Sequence, residues 1–544
     1  ATRSFFGRIN YDYKGIYLFE ANLRYDGNSR YGKDHRWGTF PSFSAGWRLS
    51  EEAFMAGTRS WLDNLKVRAS WGKLGNDGGD NVGNYEYQSV YGITDYSFGG
   101  KQVSGLAMTG LANAILGWET SNNTNFGIDF GAFGNRLTAT FDIYNKRTTG
   151  ILTTRSIPIT LGGLSAPRVN IAKMDAKGFE IDLGWRDRIG KVEYSVRGNF
   201  SYNANKVKNY NGRFYEGWKY EKGKDKNGAP IYGYTRDKNG NYNYVDKNGN
   251  VVTDNSKKIW GNNAGDVFNN GSSNNPIVED HMKSEWYLMD AYQGNGKYFD
   301  AQGNVMPGGG PKDGMIRTED DMKWLKAMMD AGYEFWPNKT IGKNNIWYGD
   351  VIYADRNGDG IYGNSYDNHF QNVSSDPKYT FGFQASAAWN GFDFSMNWAG
   401  AAGRKLYWGY TTGYNSSGTR VGVGLPKMIA DNHYFYDPEN PNDPRTNING
   451  KYSRLTNGES GHQDQHTSTR FLYSGDYLKL KNITIGYTLP KNITNNLFAQ
   501  SIRVYLSGEN LLSIDDFPGQ DPEIGSTPQY TSVRSFAFGA NITF

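Results

Sequence analysis

The stretch Val533-Arg-Ser-Phe-Ala-Phe-Gly-Ala-Asn-Ile-Thr-Phe544 decides the fold. Its even positions carry Phe536, Phe538, Ala540, Ile542 and Phe544, and its odd positions carry Ser535, Ala537, Gly539, Asn541 and Thr543. A strand sends successive side chains to opposite faces, so one face here is apolar and the other small and polar. Over about ten residues, that alternation suits a strand with lipid on one side and an aqueous lumen on the other. A strand of a soluble sheet protein shares it, so the rest of the chain has to arbitrate.

Working outward, twelve further segments read as strands. They are 2–13, 16–26, 39–49, 64–74, 122–133, 136–147, 175–187, 191–203, 378–389, 392–402, 476–489 and 501–511. Leu65, Val67, Ala69 and Trp71 oppose Lys66, Arg68, Ser70 and Gly72. The 476–489 segment changes phase near Asn482, the mark of a bulge. Connections alternate short and long. The short set is 14–15, 50–63, 134–135, 188–190, 390–391 and 490–500, with Asn390-Gly391 a strong hairpin signal. The long set is 27–38, 75–121, 148–174, 204–377, 403–475 and 512–532. Outer-membrane barrels have short turns on one rim and long loops on the other. The expected fold class is therefore all-β, a transmembrane antiparallel barrel, with 204–377 and 403–475 as large external insertions. Thirteen strands is an odd number where a single-chain bacterial barrel has an even one, so strands before Ala1 are expected.

Composition agrees. No run of 18 apolar residues occurs in the 544, which excludes helical spans but not a barrel, where every second residue meets lipid. Aromatics reach 15%, with 39 Tyr and 15 Trp, as girdles of rings would require. A formal charge of +4 with no basic run gives no nucleic-acid footprint. The absence of cysteine removes disulfides, thiolate metal sites and a Cys nucleophile.

Within 204–377, three Asp-Lys-Asn-Gly runs (225–228, 237–240, 246–249) read as hairpin tips. Thr318–Gly332 reads as a helix capped by Thr318, with Met322, Leu325 and Met329 on one face. Asp355, Asn357 and Asp359 occupy positions 1, 3 and 5 of an EF-type loop, Gly360 the turn and the Ile361 carbonyl position 7. Hard oxygens at that spacing can converge on a structural Ca²⁺ or Mg²⁺. Position 12 is Tyr366 instead of Glu, so an Asx-rich turn without metal is the alternative. His462 and His466, four apart, lie in a polar Ser/Thr/Gly context that reads as a solvated loop. No Gly-x-Ser-x-Gly elbow or Walker loop occurs, and the chain does not read as an enzyme. Loop aromatics such as Trp218, Trp286, Tyr287, Trp408 and Tyr410 could stack on sugar rings or pack peptide side chains, or simply pack the loops. Of these, Trp286, Tyr287, Trp408 and Tyr410 are the candidate ligand residues. A weakly charged, sizeable ligand is expected, an oligosaccharide first and an oligopeptide second.

Several runs, in order along the chain, resemble the SusC/RagA-type TonB-dependent transporters. They include Phe6-Gly-Arg-Ile-Asn-Tyr-Asp-Tyr13, Leu23-Arg-Tyr-Asp-Gly-Asn-Ser-Arg30, Arg36-Trp-Gly-Thr-Phe-Pro-Ser42 and Gly117-Trp-Glu-Thr120. Lys177-Gly-Phe-Glu180, Tyr477-Leu-Lys-Leu-Lys-Asn482, Gly508-Glu-Asn-Leu511 and Gly519-Gln-Asp-Pro-Glu523 continue the series. A chain closing on Phe544 also resembles the terminal signal that such barrels present for assembly. The resemblance implies that 1–544 is the C-terminal portion of a 22-stranded barrel in the outer membrane of a Gram-negative bacterium. It further implies an N-terminal plug outside this chain, energised by TonB-ExbB-ExbD, and a SusD-like surface lipoprotein as lid. It allows a dimer of SusCD pairs. The function expected is TonB-dependent import of oligosaccharides, with oligopeptides as the alternative cargo. A passive porin and a secreted sugar-binding β-protein are the rivals from other classes.

Overall fold

The computed structural model describes every residue except 80–81, 155–163, 165, 225–229, 237–241, 244–258, 269–273, 409–426, 456–466, 526–529 and 531. The thirteen expected strands are present and form one antiparallel sheet in chain order, without crossovers. They are β1 (Thr2–Tyr13), β2 (Tyr17–Asn28), β3 (Trp37–Arg48), β4 (Leu62–Asn76) and β5 (Glu119–Ala132). Then come β6 (Leu137–Thr154), β7 (Arg168–Ile189), β8 (Val192–Asn209) and β9 (Tyr379–Trp389). β10 (Phe392–Ala402), β11 (Tyr477–Thr488), β12 (Ser501–Asp515) and β13 (Ser535–Thr543) complete the sheet. In an antiparallel meander, alternate connections fall on opposite rims, so all the long excursions share one rim. The tight turns are built as expected: Asn390 and Gly391 have φ of 46° and 88°, the signs that a type I′ hairpin requires.

Ladder register puts like with like across the wall. On the outer face Phe538 pairs Leu506, Leu506 pairs Ile485 and Ile485 pairs Phe394. Farther round, Ala69 pairs Phe126, Phe126 pairs Ile143 and Ile143 pairs Phe179. Most of these side chains stay exposed (Phe538 79%, Leu506 53%), with Phe394 and Phe179 half-buried, a patch far larger than a protein in water tolerates. Rings bracket it. On the short-turn rim Tyr17 stacks on Trp47 at 6.3 Å, and Phe392 lies 4.5 Å from Tyr487. Toward the long-loop rim Tyr25 stacks on Trp37 at 4.7 Å, and Tyr202 sits 5.5 Å from Tyr379. Above those rings the same face turns polar, with Lys73, Arg147, Asp175 and Lys206. A finite apolar band between aromatic girdles is the profile of a wall in a bilayer. No helix among the described residues is long and apolar enough to cross a membrane.

The bulge expected near Asn482 is at Lys481: Asn397 pairs Asn482 and the next residue, Trp398, pairs Leu480. Below it Ile483, Ile485 and Tyr487 face outward; above it Leu478 and Leu480 do. Without that extra residue, Lys479 would point at lipid. Two expected loops are partly strand instead. β6 and β7 are 18 and 22 residues long, roughly twice a membrane span, and rise well beyond the girdles, so 148–154 and 168–174 belong to the sheet. Gly150, at φ 66°, is skipped in the β6–β7 ladder, and this bulge breaks the alternation that would have announced the extension. Inside 75–121, Val90–Phe98 and Lys101–Gly110 form a separate hairpin.

The long-loop rim carries its own packed lobes. Helix α1 (Glu319–Asp330) follows Thr318, whose hydroxyl accepts the Asp321 N–H while the Asp321 carboxylate accepts the Thr318 N–H. Met322 and Met329 are only partly covered; the buried face centres on Trp324, Leu325 and Met328. They pack against Phe335, Ile346, Val351, Ile352 and Tyr434. Glu216–Lys224 and Pro230–Arg236 pair as a hairpin around the first expected Asp-Lys-Asn-Gly tip. The three tips themselves lie outside the described residues.

Candidate functional site

The inner face of the wall is polar, and several of its arginines are paired with carboxylates on the same wall. Arg68 donates through Nε to Asp129 at 3.3 Å and through Nη2 to Asp142 at 2.6 Å. Arg197 Nε reaches Asp182 at 2.8 Å, Arg503 Nε reaches Asp393 at 2.8 Å, and Arg8 pairs Glu20. Each cation lies on the inward phase of its strand, opposite the apolar set, so period-2 alternation alone delivers these groups to the lumen. One recess of about 490 Å³ on this face is lined by Asn10, Glu20, Ser44, Lys66, Arg68 and Asn125. A surface of hydrogen-bond donors and acceptors suits passage of a polar solute.

The lobes above are positioned by polar anchors. Lys479, carried inward by the Lys481 bulge, bonds Asp521 and, at 3.1 Å, Glu523; Lys481 reaches Glu523 at 2.6 Å. Burial, the largest single influence, would raise Asp521, but the bonds from Lys479, the Ser532 hydroxyl and the Glu523 N–H, with the Lys479 charge, together hold the carboxyl below its ordinary value. In the α1 lobe, Asp350 is fully buried and takes a two-point contact from Arg454, 2.9 and 3.1 Å. Gly349 (φ 85°) precedes it, and a Cβ there would stand 2.4 Å from Tyr434, so only glycine lets the two segments meet. Burial pushes the Glu216 carboxyl up to about 7, although the Tyr287 hydroxyl donates to it at 3.3 Å.

The candidate ligand rings divide. Tyr287 is 5% exposed, packed edge-on against Phe268 at 5.0 Å and near Phe370 at 4.9 Å. Trp408 is 6% exposed, clustered with Leu406, Ile429, Tyr452 and Phe517. Both therefore serve loop packing, because the lobes need aromatic cores of their own. Trp286 is half-buried and donates its indole N–H to the Lys405 carbonyl at 2.8 Å. Tyr410, His462 and His466 lie outside the described residues. Missed in the sequence were Trp347, Tyr436 and Arg454, which line a cleft of about 530 Å³ with Tyr348 and Tyr434. Only the aromatic density of 347–348 and 434–436 hinted at it.

The Asp355–Ile361 loop is wound on its own acids. Asp355 accepts N–H groups of Gly358 (2.7 Å), Asp359 (3.2 Å) and Gly360 (2.8 Å). Asp359 accepts the Ile361 N–H at 2.9 Å and the side-chain amides of Asn357 and Asn364 at 3.0 Å. The wholly buried Asp367 accepts N–H groups of Arg356, Gly363 and Asn364. Burial first, and then the charges of Asp355 and Asp359, push Asp367 up to about 7 against those donors. Among the described residues, no three His, Cys, Asp or Glu side chains stand close enough to form a ready metal cluster.

Comparison with known proteins converges on one family. The family described as TonB dependent receptor-like, beta-barrel matches residues 1–316. TonB-dependent receptor P3 of Formosa agariphila is 26% identical over 563 aligned residues, spanning 99% of this chain and 45% of that protein. TonB-dependent receptor SusC of Bacteroides thetaiotaomicron is 23% identical over 552, spanning 99% and 43%. The chain thus spans about half the length of the curated relatives it matches. Among solved structures, the RagAB peptide transporter superposes with a TM-score of 0.64 at 20% identity, covering all of this chain and 48% of its counterpart. That likeness extends to the fold. The apolar band, the paired polar inner face and this match agree: the chain belongs to the TonB dependent receptor-like β-barrel family of the outer membrane, whose members are receptors and not enzymes.

Proposed function

We propose that this chain is the C-terminal barrel wall of a SusC-like importer that takes up oligosaccharide across the outer membrane. Its plug would be worked by TonB, and a SusD-like lipoprotein would close over the lobes. The observation that carries the reading is the inner face, where Arg68, Arg197 and Arg503 are each answered by a carboxylate from a strand of the same wall. Such a wall neither attracts nor repels a neutral polar chain of sugars. No bond is made or broken; the residues bind and gate. An oligopeptide is the second reading, since the RagAB structures are titled peptide transporter and importer. The test is uptake of labelled oligosaccharides and oligopeptides by cells carrying the full-length protein, with and without TonB. TonB-dependent accumulation of a saccharide is expected. Flux that persists without TonB would indicate a passive porin and overturn the proposal, and peptide-only uptake would overturn its cargo.

The same reading includes a Ca²⁺ or Mg²⁺ at Asp355, Asn357, Asp359 and the Ile361 carbonyl, acting as a stiffener of the outer lobe. Support comes from the EF-like winding of the loop and from Asp367 facing it. Terbium luminescence sensitised by Tyr362, lost in Asp359→Asn and displaced by Ca²⁺, is the expected result; no sensitised signal would remove the cation from the account.

A further inference from the structure

We propose that the cleft between residues 343–348 and 433–455 of the α1 lobe is a sugar subsite that holds a neutral oligosaccharide; this rests on the importer reading and gives it a place on the chain. The cleft encloses about 530 Å³, within the roughly 300–1,000 Å³ of small-molecule sites. Its walls are rings held at steep angles: Trp347 meets Tyr348 at 5.3 Å and 82°, and Tyr348 meets Tyr436 at 5.2 Å and 72°. Rings so crossed cannot collapse face to face on one another, which leaves Trp347 and Tyr436, both only partly buried, with surface for the C–H face of a pyranose.

The polar groups favour hydroxyls over charges. Arg454 spends Nε and Nη2 on Asp350, and Nη2 also reaches the Asn345 carbonyl at 3.3 Å. Among the described residues its Nη1 has no hydrogen-bond partner, so a pair of N–H donors is left at the cleft, already neutralised by a fully buried carboxylate. Arg445 is matched by Asp443 at 2.7 Å and lies over the Phe435 ring at 4.7 Å. Lys343 faces Glu439 at 3.5 Å. A carboxylate ligand would meet there only cations that already have carboxylate partners, Lys343, Arg445 and Arg454. A peptide side chain would find no deep apolar slot, since the floor is closed by Tyr348 and Tyr434. An uncharged ligand with alternating C–H faces and hydroxyl acceptors satisfies both the rings and the held guanidinium.

The test uses the full-length transporter, titrated calorimetrically with short neutral oligosaccharides (α-glucan, β-glucan, mannan, xylan, galactan), an oligogalacturonate and an oligopeptide mixture. Leu455 lines the cleft and is 37% exposed, so Leu455→Trp fills the site without opening the core. Tyr436→Leu removes one platform. At least one neutral saccharide should bind, and each variant should weaken it about tenfold or more, with an unchanged tryptic pattern of the lobe. Saccharide binding indifferent to both variants would overturn the subsite while leaving the importer standing. Binding of only oligogalacturonate or peptide, blocked by Leu455→Trp, would overturn the sugar assignment at this cleft. No binding by any member of the panel would overturn it together with the cargo proposal.

Discussion

Replacing Lys479 with methionine should release the last long loop, residues 516–534, from the wall. The Lys479 side chain is 6% exposed, and its partners Asp521 and Glu523 are 9% and 31% exposed. Removing one member of a buried pair costs about 3–5 kcal/mol, because the remaining charge is stranded away from water. Here the lower end applies. Lys481 still holds Glu523, and Asp521 keeps the Ser532 hydroxyl at 2.6 Å and the Glu523 N–H at 2.8 Å. A local loss of about 3 kcal/mol corresponds to roughly a hundredfold rise in the fraction of time the loop is open.

Deuterium exchange of the intact protein in nanodiscs reads that opening directly. Amides of the loop around Glu523 should exchange about a hundredfold faster in Lys479→Met, while the β11–β12 ladder below the bulge is unchanged. Lys479→Met with Asp521→Leu should recover most of the protection, since an apolar pair of similar volume avoids the stranded charge. The pH dependence has a definite sign. Asp521 is held below its ordinary 3.8, so its contribution is present above that value and is lost as pH falls through the folded one. Unaltered exchange in the single variant, or a double variant no better than the single, would refute the reasoning.

Three further outcomes are expected. Leu506→Arg, on the outer face, should cost about 2–4 kcal/mol of barrel stability by urea titration in lipid, whereas Ser507→Arg, facing the lumen, should cost far less. Thr318→Ala removes the side-chain half of the α1 cap and should cost about 1 kcal/mol, seen as roughly fivefold faster exchange at Asp321. Glu216, raised from 4.5 to about 7, lends stability that is present below 4.5 and lost as pH rises through 7. Protection of Glu285–Leu288 should therefore decline over that interval, and Glu216→Gln should flatten the decline.

The wall was legible because one rule governs it. Lipid on one side and water on the other force a period of two, and that period is visible in Leu65–Leu74 or Ser535–Thr543 without any contact being known. Strand extension past Gly150 was not legible, since a bulged glycine shifts the phase and the residues above the girdles no longer answer to lipid. The lobes obey a different rule. Whether a loop aromatic is core or platform depends on what packs over it, and those partners are distant in sequence: Asp350 and Arg454 are 104 residues apart. Tyr287 and Trp408 were therefore indistinguishable on paper from Trp347 and Tyr436. The first two are buried and the second two line a cleft.

The Lys481 bulge joins these two regimes. A regular β11 would keep odd residues outward throughout, placing Ile485 and Ile483 in lipid but Lys481 and Lys479 there as well, each costing up to about 2–4 kcal/mol near mid-depth and less toward the rim. One extra residue lets Leu480 and Leu478 take the outward positions, continuing the apolar face where it opposes Leu512 and Ile514. The lysines are sent inward, where Asp521 and Glu523 meet them. The irregularity that looks like a defect in the alternation thus continues the apolar face and docks the final loop in a single step. Its position at the long-loop rim follows from that double duty: lower down, the same lysines would face the lumen with no loop acids within reach.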